Sequence, residues 1–141
     1  MKLSVYTDAG ARGNPGPAAI AVLFFKDGKL SMKHGEYVGA VTNNQAEYMA
    51  VIKALEIAAS MGAKELEMFT DSELVCRQMK GTYKVKDVKL KPLHGRAKEL
   101  EKGFEKVTWG SVPRENPNIR RADGLVNWVL DNKKSEGGTT G

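Results

Sequence analysis

Two aspartates stand where strands are read to end. Leu3, Val5 and Thr7 alternate with Ser4, Tyr6 and Asp8, which predicts a strand that Asp8 closes. Asp71 closes a second predicted strand, Glu65 to Asp71. If those strands are parallel neighbours, their carboxyl ends share one sheet edge, about 4.8 Å apart. Open α/β sheets bind their ligands at such edges. Two carboxylates that close repel each other and need a cation to stay ionised together. Oxygen-only ligands point to Mg2+ or Mn2+ rather than zinc. On spacing alone, each acid merely capping the turn after it is the simpler reading. Glu47 shifts that balance. It lies at i−4 from Val51, at the border of a buried helical stripe, and a carboxylate facing the protein body needs a partner. A helix-dipole contact is the plain alternative for Glu47, and both can hold at once. Asp123, taken alone, reads as an ordinary first-turn acid of the last helix. There is no convincing Ser–His–Asp or Cys–His set.

The elements that must position these acids follow from the pattern. Gly10 to Pro17 is rich in glycine and proline and predicts a loop. Ala18 to Phe25 is a continuous apolar run, read as a buried strand. Asp27-Gly28 is a strong hairpin signal before a third strand, Lys29 to Val38. Thr42-Asn43-Asn44-Gln45 matches the capping box that starts a helix, with Tyr48, Ile52, Leu55 and Ala59 as its apolar stripe. Ser72 caps a short helix to about Met79. Leu93, Ala97, Leu100 and Phe104 mark another helix. Lys106 to Trp109 predicts a fifth strand, Gly110 to Arg120 a loop, and Arg121 to Asn132 the last helix. Cys76, Trp109 and Trp128 are read as buried. The order βββαβαβα implies an α/β fold: one domain with a mixed five-stranded sheet and helices on both faces. Residues 1–134 are expected to form it, and residues 135–141 a polar, disordered tail.

Composition bounds the function. The chain has 141 residues, enough for one domain with a real core. One cysteine excludes an intrachain disulfide or a zinc framework. No apolar run approaches the roughly 18 residues of a membrane span, and the N-terminus lacks signal-peptide anatomy. A cytoplasmic protein, a monomer with no membrane and no obligate protein partner, is expected. The net charge is +5, and residues 80 to 98 hold seven of the basic residues against Asp87 alone. Such a block attracts nucleic acid, although a charge run by itself is more simply a solvated face.

A resemblance then joins these pieces. Tyr6-Thr7-Asp8, Gly10-Ala11-Arg12-Gly13-Asn14-Pro15-Gly16-Pro17, Thr42-Asn43-Asn44-Gln45-Ala46-Glu47, Thr70-Asp71-Ser72 and Ala122-Asp123 together resemble type I ribonuclease H. The ordered set spans residues 6 to 123. The resemblance implies a site of Asp8, Glu47, Asp71 and Asp123, holding two Mg2+ ions with Mn2+ as a substitute. It implies hydrolysis of the RNA strand of an RNA–DNA hybrid, leaving a 3′-hydroxyl and a 5′-phosphate. In it Asp8 bridges both ions, Asp123 holds the ion that activates water, and Glu47 and Asp71 hold the other. This agrees with the chemistry of phosphodiester hydrolysis, in which two metals serve the attacking and leaving oxygens.

Substrate choice needs its own residues. A hybrid differs from duplex DNA by its 2′-hydroxyls, read across the minor groove. Asn43, Asn44 and Gln45 offer both donors and acceptors. Backbone from Gly10 to Asn14 can approach closely, and Thr42 and Asn14 match polar positions near the family's substrate. Lys84 and Lys86 flank Val85, so both can face phosphates from one side of an extended segment. The path from Gly81 to Lys86 is similar to the compact subgroup, which lacks a basic, tryptophan-rich helix. Many members carry a histidine on the loop before the last acid. His34 and His94 lie elsewhere, and Arg114, in Val112-Pro113-Arg114-Glu115, is the candidate for that role, with Glu115 as an alternative. The competing functions are a catalytically weak hybrid- or RNA-binding module and a DNA-cutting relative on the same fold.

Overall fold

Asp27 and Gly28 both have positive φ, 51° and 79°, and pair Lys26 with Lys29 across a two-residue turn. Hairpins favour this turn because its twist matches the strands it joins. It links β2 (Gly16–Lys26) to β3 (Lys29–Val41), while β1 (Lys2–Ala11) pairs antiparallel with β2 on its other side. The computed structural model describes residues 1–133 and the backbone of residues 136–139.

The remaining elements are α1 (Asn43–Ser60), β4 (Glu65–Thr70), α2 (Glu73–Lys80), α3 (Lys91–Glu101), β5 (Lys106–Ser111), α4 (Pro117–Asn132) and β6 (Glu136–Thr139). The strand order is β5-β4-β1-β2-β3-β6. β4 pairs parallel with β1 and β5 parallel with β4, each reached through helix, whereas the hairpin strands β2 and β3 and the edge strand β6 join antiparallel. The expected mixed sheet of five strands is present, with β6 added at its edge.

Nearly all of β2 is buried, because its two faces meet different helices. Val22 and Phe24 pack with Tyr48 and Leu55 of α1. Ala21 and Leu23 pack with Ala122, Val126 and Val129 of α4. Period-two alternation therefore feeds two cores, and the run reads as continuously apolar. Gly35 belongs to the second core: a Cβ there would lie 2.8 Å from Leu125 Cγ and 3.0 Å from Val129 Cγ2. This glycine lets α4 lie close on β3.

Several boundaries differ from the sequence reading. Asp8 does not close β1, which continues to Ala11 because β2 still pairs with it after β4 has ended. The loop between them is correspondingly shorter, residues 12–15. The last helix starts at Pro117 rather than Arg121. Asn116 caps it, its Oδ1 accepting from the Asn118 and Ile119 amides, and Pro117 fits the first turn. Asp123 thus lies in the second turn. The tail expected to be disordered supplies β6, residues 136–139, paired with residues 32–35 of β3. Backbone pairing on an open edge needs no apolar side chains. Residues 134, 135, 140 and 141, also assigned to the domain end and tail, lie outside the described residues. Cys76 and Trp109 are buried as expected, but Trp128 is 38% exposed.

Candidate active site

The parallel ladder between β1 and β4 ends at the pair Thr7 and Thr70. The next residues, Asp8 and Asp71, therefore emerge side by side. The Thr70 hydroxyl accepts from the Ser72 amide at 3.0 Å, and Ser72 Oγ accepts from Val75 N at 3.2 Å. Those bonds turn the chain from β4 into α2 and fix Asp71 at the edge.

Glu47 arrives from α1. The capping box is complete: Thr42 Oγ1 accepts from Gln45 N at 3.2 Å, and Gln45 Oε1 accepts from Thr42 N at 2.9 Å. Glu47 follows in the next turn with only 7% of its surface exposed. The β1–β2 loop is tied to the same helix start. Asn43 N donates to Asn14 Oδ1 at 3.0 Å, and Ala11 N donates to Asn43 Oδ1 at 3.1 Å. The helix with Glu47 and the strand with Asp8 are thus held in register by side-chain amides.

The result is a tight acid cluster. One carboxylate oxygen from each of Asp8, Glu47 and Asp71 lies within 4.8 Å of the other two. Asp8 Oδ2, Glu47 Oε1 and Asp71 Oδ1 are buried without a hydrogen-bond partner. Burial, then the charges of Asp71 and Asp123, push the Asp8 carboxyl up to about 8. Burial, then the Asp8 and Asp71 charges, hold Glu47 well above the usual carboxylate range. Burial also raises Asp71, while the Arg114 guanidinium opposes the rise. Arg114 Nε lies 3.9 Å from Asp71 Oδ2, on a side chain that is 89% exposed. Orphaned oxygens on mutually repelling acids fit a hard divalent cation, which would satisfy the oxygens and favour the ionised forms.

A cleft of about 290 Å³ opens over this cluster, with Asp123, Arg114, Glu115 and Arg120 on its walls. Asp123 stands apart from the three-acid group: it is exposed, and its Oδ2 accepts from Asn127 Nδ2 at 3.3 Å. The structure therefore brings Asp8, Glu47 and Asp71 together and places Asp123 and Arg114 at the rim.

The chain matches the reverse transcriptase-like family over residues 6–129. It is 43% identical over 131 residues to ribonuclease HI of Halobacterium salinarum, covering 92% of this chain and 65% of that protein. The solved Halobacterium salinarum RNase H1 is similar in fold, with a TM-score of 0.89 at 41% identity over 94% of this chain and 99% of that one. LC11 RNase H1, solved in complex with an RNA/DNA hybrid, has a TM-score of 0.87 at 40% identity, covering 93% of this chain and 98% of that one. The chain belongs to the type 1 ribonuclease H family. It spans 65% of the length of the halobacterial protein and 36% of a bifunctional protein of Mycobacterium tuberculosis.

Within this ribonuclease H fold, several of the other predicted residues have identifiable internal roles. Thr42 and Gln45 spend their side-chain bonds on the helix cap, and Asn14 and Asn43 spend their oxygens on the loop latch. Asn43 also lines the cleft, and Asn44 is exposed on the same helical turn. Gly10 has a packing role: a Cβ there would lie 3.2 Å from Val126 Cγ1 of α4. Lys84 and Lys86 are exposed around a half-buried Val85, outside the cleft, in the direct path from α2 to α3. Arg120 also lines the cleft; on α4 it stands three residues before Asp123 on one helix face, a relationship that a loop over residues 110–120 does not show.

Proposed function

We propose that this chain hydrolyses the RNA strand of RNA–DNA hybrids using two divalent cations, Mg2+ with Mn2+ as substitute, and leaves 3′-hydroxyl and 5′-phosphate ends. One observation carries this reading: three carboxylates converge within 4.8 Å, each with a buried oxygen that no protein group satisfies. Asp8, Glu47 and Asp71 are the residues to hold the cations, and Asp123 completes the set from the cleft wall. When bound, the cations supply an activated water and a stabilised leaving oxygen. The hybrid-bound relative LC11 RNase H1 supports the substrate class.

The protein's own groups bind and orient the hybrid. Asn43, Asn14 and Asn44 keep side-chain amide donors for 2′-hydroxyls and phosphates, with Gly10, Thr42 and Gln45 shaping the surface around them. Lys84 and Lys86 contact backbone phosphates from the segment beside α2. Arg114, beside Asp71, draws the cleaved phosphate away from the acids after reaction. In this reading the enzyme acts as a cytoplasmic monomer without an obligate protein partner, and residues 1–134 form its functional domain. No helix among the described residues is long and apolar enough to cross a membrane.

The test compares labelled RNA–DNA hybrid, single-stranded RNA and duplex DNA, each with and without Mg2+. Cleavage of the hybrid alone, and only with Mg2+, supports the reading. Binding of hybrid without cleavage favours a binding module, and cleavage of duplex DNA favours the DNA-cutting alternative.

A further inference from the structure

The arginines of this chain are almost all engaged within the protein. Arg12, Arg77, Arg96 and Arg114 pair with Asp131, Glu73, Glu56 and Asp71, and Arg121 lies over the Phe25 ring, 5.9 Å from its centroid. Arg120 has no such partner among the described residues, although it lines the acidic cleft. Asp123 lies three residues on along α4 and would be the natural partner, yet its Oδ2 takes the Asn127 amide instead. A guanidinium standing free in a cleft lined by carboxylates is a charge kept for something that enters it.

The geometry points to Arg120 as a specificity residue that grips the substrate phosphate next to the reacting one; this rests on the hybrid-hydrolysis reading above. The entering group must be an anion, because the guanidinium is a permanent cation with donors arranged to match phosphate oxygens. A nucleic acid strand is such an anion, and it carries further phosphates on either side of the reacting one. With one phosphate at the carboxylates, the long Arg120 side chain on the cleft wall meets a neighbouring one. Arg114, beside Asp71 in the same cleft, serves the reacting phosphate itself, and Arg120 its neighbour. Arg120 is exposed and its side chain makes no hydrogen bond or ion pair among the described residues, so changing it leaves the fold intact.

A neutral-linkage scan tests this. Hybrids carry one uncharged methylphosphonate, on a 2′-deoxy sugar, at successive positions of the RNA strand; the control has a charged deoxy phosphodiester at the same place. Wild type should lose about tenfold in kcat/KM when the linkage next to the cleaved one is neutral. Arg120→Gln should lose about tenfold on the fully charged hybrid, and nothing further when that linkage is neutralised. Arg120→Lys should recover part of the loss, with sensitivity restored at the same linkage. The assignment is overturned if Arg120→Gln equals wild type on the charged hybrid, or if it stays as sensitive as wild type at every position. Wild type that cleaves no hybrid at all removes the hybrid-hydrolysis reading, and this assignment with it.

Discussion

Asp8 and Asp71 are the first residues beyond the last parallel pair of β1 and β4, Thr7 and Thr70. The ladder that aligns the strands also forces two carboxyls into contact range, and α1 adds Glu47 to them. The fold thus concentrates negative charge at one sheet edge, at a cost in the metal-free protein.

Relieving that repulsion should separate activity from stability. Asp8→Asn, Glu47→Gln and Asp71→Asn are each expected to lose more activity than the roughly 10–100-fold that follows loss of an outer-shell metal partner. Without metal, each variant should be as stable as wild type or more so. Urea midpoints in EDTA, beside hybrid cleavage in Mg2+, check both halves. A variant with wild-type turnover removes that residue from the site.

The same cluster sets the response to pH. In the unfolded chain these carboxyls titrate near 4. In the folded, metal-free protein Asp8 is raised to about 8, and Glu47 and Asp71 are raised as well. The folded state then binds more protons than the unfolded state between those values, so stability falls as pH rises from about 4 through about 8. Saturating Mg2+ selects the ionised acids and should offset that fall. Urea midpoints at pH 5 and pH 9, with EDTA or Mg2+, test the sign, and Asp8→Asn should flatten the EDTA slope. A midpoint in EDTA that rises with pH contradicts this account of the cluster.

The basic segment should act on binding. Lys84→Ala combined with Lys86→Ala is expected to raise KM and to flatten the log-log salt dependence by up to about 2, near one unit per phosphate contact. Its kcat should hardly change, because neither lysine borders the cleft. A hundredfold fall in kcat with KM unmoved would reassign the segment.

Arg114 should matter after the bond is cut. Arg114→Ala is expected to slow multiple turnover by roughly ten- to a hundredfold, the scale of one charge-assisted contact, and to change single-turnover cleavage less. Glu115→Ala, in the same cleft, is the comparison. If Arg114→Ala matches wild type in both regimes and Glu115→Ala does not, the role belongs to Glu115.

The parts of this site legible in the sequence are those set by local chemistry. Thr42 and Gln45 announce the helix that bears Glu47 because a capping box is a four-residue signal. Asp8 and Asp71 are legible because strand alternation places them near strand ends. What is not legible depends on distant contacts. The extension of β1 past Asp8 is created by β2, which no local pattern shows. The Asn116–Pro117 start of α4 resembles a turn, since the same residues cap helices and break them. β6 is invisible because Glu136–Thr139 adds to an edge through its backbone. The packing of Gly10 is equally hidden, since a Cβ there would meet Val126 from the distant α4.

The most direct test of the central claim is the identity of the RNA ends made from a hybrid, compared between wild type and Asp8→Asn, in Mg2+ and in EDTA. Water attack within a carboxylate-held metal site predicts 5′-phosphate and 3′-hydroxyl products, made by wild type in Mg2+ alone. Cleavage that survives in EDTA or in Asp8→Asn, or products ending in a 2′,3′-cyclic phosphate, would contradict it, since cyclic ends come from attack by the RNA's own 2′-hydroxyl.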